Sequence, residues 1–189
     1  PNSLPGGTAT INSGFIANQP TVDTNQTVTQ TDITSGTLTV AATLTSPVTL
    51  SGSGNMTINV GGQVVGNVGH GSTGTTNNNG TITGTLSVSS GTVNNAGVVT
   101  GTTTVTGGTL NLDAGTNLSD ANTLTVNGGT VNVNASDTVG ALAGTGGTVD
   151  IDAGQALSIG GATSTSYGGV ISGAARLTQA GTGTLTLTG

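Results

Sequence analysis

The chain of 189 residues has no cysteine, no tryptophan and a single basic residue, Arg176, against seven acids, for a formal charge of −6. Only 4% of it is charged, far below the ~25% of an ordinary globular protein. Each shortage excludes something. Without cysteine there is no disulfide scaffold, thiolate metal site or cysteine nucleophile. One arginine cannot replace the counterions of a polyphosphate, which excludes nucleic acid as a partner. A polybasic membrane contact fails for the same reason. No apolar run reaches the ~18 residues of a spanning helix. An outer-membrane barrel would carry aromatic girdles, and Phe15 and Tyr167 are the only aromatics. Residues 1–7 show neither the basic start nor the apolar centre of a signal peptide, so the chain reads as a mature segment or a piece of something longer.

Glycine, threonine, asparagine and serine supply more than half of the residues. That composition suggests low complexity, yet disorder normally combines low hydrophobicity with high charge. Here 32% of the residues are hydrophobic and charge is nearly absent. The apolar residues are also ordered. Thr37-Leu38-Thr39-Val40, Met56-Thr57-Ile58-Asn59-Val60, Thr85-Leu86-Ser87-Val88 and Thr123-Leu124-Thr125-Val126 alternate with period two, the mark of strands with one face buried. Threonine, valine, asparagine and glycine are poor helix formers, and no segment reads as a helix.

The strands repeat. Gly107-Gly108-Thr109-Leu110-Asn111-Leu112 recurs as Gly128-Gly129-Thr130-Val131-Asn132-Val133 and as Gly146-Gly147-Thr148-Val149-Asp150-Ile151, and in shorter form as Gly183-Thr184-Leu185-Thr186-Leu187. The glycine that opens each strand thus stands at Gly108, Gly129 and Gly147, and the step from there to Gly183 is twice the step before it. Propeller blades need ~40 residues, and the leucine-rich consensus is missing. The period suits one rung of a solenoid, which cannot bury its apolar face alone but can against its neighbours. The expected fold is all-β: a right-handed parallel β-helix (β-solenoid) of about ten rungs, each roughly 18–21 residues long. Leu110, Leu112, Val131, Val133, Val149, Ile151, Leu185 and Leu187 are the expected inward columns, and Thr109, Asn111, Thr130, Asn132, Thr148 and Asp150 the outward ones. Residues 1–30 read as a cap or irregular first rung and 31–189 as the β-helix. A loop is expected to leave the rod near 66–80, where apolar residues stop after Val68, and a lesser break falls at 161–168.

The stretch from Tyr167 to Gly189 resembles the repeat of Gram-negative autotransporter passenger regions, roughly aromatic-x-G-x-I-x-G-x-G-x-L-x-K-x-G-x-G-T-L-x-L-x-G. Tyr167, Gly169, Ile171, Gly173, Leu177, Gly181, Gly183, Thr184, Leu185, Leu187 and Gly189 match it, while Ala175 replaces a glycine and Gln179 a lysine. The resemblance is confined to this C-terminal stretch; the rest is similar in style only. It implies a β-helical passenger exported across the outer membrane, whose translocating barrel lies on another part of a longer chain. The implied role is a secreted or surface-displayed rigid stalk or adhesin, associated with virulence, whose partner would be a host or surface ligand, a glycan or another copy.

Candidate chemistry is thin. His70, the single histidine, lies between glycines in the expected loop, and the nearest acids along the chain are as distant as Asp32 and Asp113. It reads as a solvated loop residue. Asp150 and Asp152 share a strand face, and paired carboxylates can serve acid–base chemistry or calcium. With Asp113 they support an alternative reading as a glycan-binding or glycan-cleaving β-helix. The lone Arg176 argues against an acidic sugar. No nucleophile elbow or phosphate loop occurs, so neither an enzyme nor a cofactor or metal is expected. Threonine pairs such as Thr37/Thr39 and Thr184/Thr186 raise a remoter reading, ice binding. That role needs the pair on successive rungs, whereas the aligned copies read Thr109/Asn111, Thr130/Asn132 and Thr148/Asp150.

Overall fold

The computed structural model describes residues 21–113 and 118–189, and the backbone of 8–11. Among these residues the regular elements are all strands, with no helix. Every strand pairing is parallel. The chain is therefore a parallel β-solenoid. Each turn visits three faces. Gln30–Ile33 lies on the first, Thr37–Val40 on the second and Thr43–Thr45 on the third, after which Val48–Leu50 pairs with Gln30–Ile33 and the next turn begins.

The first face is an eight-stranded sheet and the second a nine-stranded one. The third runs for five strands, passes a bridge between Val99 and Leu118, and resumes as Asp137–Val139, Ala156–Ile159 and Arg176–Gln179. Nine strands stacked at ~4.8 Å make a rod about 40 Å long. The winding gives about nine turns rather than ten. Rungs are less uniform than the repeat suggested. The register partners Asn77 and Asn94 are separated by 17 positions in the chain, but Asp150 and Ser172 by 22. No helix of the described residues is long and apolar enough to cross a membrane.

Strand alternation places the core. In Thr109–Leu112, as in Thr37–Val40 and Thr130–Val133, the first and third residues are half-buried and the second and fourth buried. Threonine and valine suit this pleated, half-covered surface. The corner before the second face needs glycine. Gly36, Gly91, Gly108, Gly129 and Gly147 each precede the first threonine of a second-face strand, and all have φ between 58° and 75°. A side chain is disfavoured there.

The expected excursion at 66–80 does not occur. Val68–His70 and Thr75–Asn78 are ordinary first- and second-face strands, paired on both sides. The rod continues because its interior turns polar here, with hydrogen bonds for Ser72 and Asn78. Ser72 Oγ donates to the Gly54 carbonyl at 2.5 Å and accepts from the Gly74 N–H at 2.7 Å. Asn78 Nδ2 donates to Asn95 Oδ1 at 2.6 Å, both amides being fully buried. The break expected at 161–168 is also filled. Thr165–Tyr167 is a strand, and the Tyr167 ring is fully buried with its hydroxyl 3.2 Å from the Gly147 carbonyl. Burial pushes that phenol above its ordinary pKa.

At the other end, most of the expected cap (1–7 and 12–20, with Phe15) lies outside the described residues. Within 21–30, Thr21–Val22 and Gln26–Thr27 are already paired strands, so regular winding starts before the expected boundary at 31.

Candidate functional site

The six central residues of the expected core stand in two columns. Leu110, Val131 and Val149 are register partners, as are Leu112, Val133 and Ile151, and none exceeds 2% exposure. Leu185 and Leu187 do not join them. They pair with Thr165 and Tyr167 on the continuation of the first face, and Leu187 is 55% exposed. The second-face position after Thr148–Ile151 is taken by Val170–Ser172. The last copy of the repeat is thus one face out of phase with the others, which spacing along the chain could not reveal.

The same register builds a surface on the outside of the second face. Thr75, Thr92, Thr109, Thr130 and Thr148 form one unbroken column. Beside it run Asn77, Asn94, Asn111, Asn132 and then Asp150. The amides are linked along the rod: Asn94, Asn111 and Asn132 each donate from Nδ2 to Oδ1 of the preceding asparagine, at 2.8, 2.7 and 2.7 Å. Such ladders reinforce stacked parallel strands. Asp150 ends the amide run and accepts the Ser172 hydroxyl at 2.6 Å. No charged residue lies between Asp32 and Asp113 in the sequence, so the rungs between them present a neutral surface.

Of the aspartates of the glycan reading, Asp150 and Asp152 are near neighbours on one rung, while Asp113 stands two rungs away. Asp113 Oδ1 accepts from Asn134 Nδ2 at 2.9 Å. Asn134 follows Val133, and Asp152 occupies the same corner one turn further on, its N–H bonded to the Val133 carbonyl. Asp113 and Asp152 are thus two rungs apart, ~10 Å along the rod, well beyond the ~5 Å of a nucleophile–acid pair. The neighbours Ala114 and Gly115, which share the Asp-Ala-Gly corner, lie outside the described residues. Arg176 is exposed on the third side, opposite Ala156. Among the described residues no three histidine or acidic side chains come together as a metal site would require.

Sequence reasoning missed Asp137. It is 8% exposed and points inward in register with Leu157. Its Oδ2 accepts the Leu118 N–H at 3.1 Å and its Oδ1 accepts the Thr138 N–H at 3.0 Å. This carboxylate ties the resumed third sheet to the bridge residue. A cavity of about 210 Å³ beside it is lined by Asp120, Ser136, Thr138 and Ser158. The doublets Asn77-Asn78 and Asn94-Asn95 were a usable signal for the amide stacks, one residue of each facing out and the other in.

His70 is placed quite differently from the expectation. It is fully buried on the first face, stacked between Leu50 and Val88. Its Nδ1 lies 3.0 Å from Thr76 Oγ1, while Nε2 makes no hydrogen bond. Loss of solvation lowers its pKa below the ordinary histidine value, and the Gly74 backbone offsets this only in part.

No protein-family model, curated protein or solved structure matches this chain.

Proposed function

We propose that this chain is a segment of an exported autotransporter passenger, a rigid non-catalytic stalk or adhesive rod carried on the outside of a Gram-negative cell or released from it. The observation that carries the reading is the neutral, laddered outer face built on the parallel solenoid. Its Thr75–Thr148 and Asn77–Asn132 columns repeat one chemistry rung after rung, which suits a scaffold or an extended contact surface better than a single reaction centre. The passenger-like repeat supports it further. Tyr167 plugs the interior, a side chain at Gly169 would strike the Tyr167 hydroxyl, and Gly173 has φ of 100°. These positions of the resemblance therefore have physical reasons in this chain. The lone Arg176 leaves trypsin almost nothing to cut, an advantage outside a cell.

The reading is tested on the gene. An export signal upstream and an aromatic-girdled barrel downstream of this segment are expected, and a gene with neither defeats it. The glycan-cleaving alternative is separated by assaying neutral and anionic polysaccharides with Asp150→Ala as control. Turnover lost on that substitution would replace the stalk reading. Ice binding keeps one observation in its favour, the five threonines in register. Thermal hysteresis by the intact segment would establish it against the stalk.

A further inference from the structure

The middle of the rod contains a buried group that acid can charge without supplying a partner. His70 fills an inward position that Leu50 and Val88 fill on the adjoining rungs. Its Nδ1 is taken by Thr76, and its Nε2 is buried without a hydrogen bond. The backbone closes over that nitrogen: a Cβ on Gly91 would stand 2.9 Å from it. Protonation puts a hydrogen on both ring nitrogens, so the cation would need an acceptor at Nε2 and a counter-charge nearby.

The Gly74 carbonyl faces the ring but offsets the lost solvation only in part, and no counter-charge is present among the described residues. The first-face strands packed against His70 bring Val48, Leu50, Leu86 and Val88 inward, the second face brings Thr76 and Asn78, and the third brings Val64 and Ile82. None is titratable or charged. The acid on the same face, Asp32, points outward and pairs with Thr49, which sits beside Gly69. Burying an unpaired cation costs more than leaving the ring neutral, so the proton is bound where the rung opens to water.

We infer that the rungs around His70 form a proton-sensitive seam, closed at neutral pH and opened by mild acid while the flanking rungs remain wound. The unfolded chain binds the proton near pH 6.5 and the folded chain resists it, so stability is full above that value and falls as the pH drops below it.

The test uses the intact segment. If the folded ring stays neutral, its unfolding constant should rise about thirtyfold from pH 7.5 to 5.0. His70→Leu, which continues the apolar column, should remove that rise. Peptide-resolved hydrogen exchange should show protection at residues 68–95 lost first, before the rungs around Tyr167. A second measurement needs no variant. Because the histidine is unique, its imidazole NMR signals need no assignment, and they should stay neutral well below pH 6.5 in folded protein. A ring titrating near pH 6.5 with protection intact, or an equal pH dependence in the variant, would overturn the inference.

Discussion

Replacing Gly129 by alanine separates the two demands that a stacked corner makes on its glycine. Gly129 has φ of 68°, and a Cβ there would lie 2.5 Å from the Gly108 carbonyl oxygen on the adjoining rung. Gly154 has φ of 80° but open space around the same atom. At Gly154 alanine incurs only the left-handed backbone penalty, ~1–2 kcal/mol. The stiffer unfolded chain returns ~0.4–1 kcal/mol, leaving about 0.5–1 kcal/mol of destabilisation. At Gly129 the carbonyl belongs to a paired backbone that cannot swing aside as a side chain could. Relieving the overlap adds ~1–3 kcal/mol, for a total of about 2–4 kcal/mol. Urea unfolding followed by circular dichroism at the β-sheet band measures both variants, with Tyr167 fluorescence as a local report on the C-terminal rungs. Equal destabilisation at the two positions would refute the reasoning, because it would show that the rungs do not press together at this corner.

Three further outcomes follow from the same geometry. Leu110→Ala should cost ~2–5 kcal/mol in urea unfolding, whereas Leu187→Ala, on a residue 55% exposed, should stay within about 0.5 kcal/mol. Asp137→Ala removes the acceptor of the Leu118 N–H, so a loss of ~1–3 kcal/mol is expected, with faster amide exchange at Leu118. Asn95→Ala strips the buried Asn78 amide of its side-chain partner and should cost ~1–3 kcal/mol. Asn94→Ala, in the half-exposed outer ladder, should cost only ~0.5–1 kcal/mol in the same assay.

The sequence was most legible where strand alternation and glycine spacing agreed. Around Leu110, Val131 and Val149 the local pattern already contains the inward column, because a two-residue period leaves only one way to bury leucine and valine together. It was least legible where polar residues face inward. Ser72, Thr76 and Asn78 look like loop residues, since their solvation cost is cancelled only by partners elsewhere in the winding: the Gly54 carbonyl, His70 and Asn95. The candidate surface was half visible. The Thr-x-Asn alternation announced outward positions, but the amide-to-amide linkage depends on the register between rungs of unequal length.

Composition and periodicity alone therefore determined the class of the molecule, a wound stack of short parallel strands, because so short a repeat buries its aliphatic face only against neighbouring turns. Tertiary structure alone decided three things: the fate of His70, the inward turn of Asp137 and the displacement of Leu185 and Leu187 onto a different face. Each depends on which residue lies one rung above or below. That neighbour is set by cumulative rung length, a sum over the whole winding that no local stretch of sequence contains.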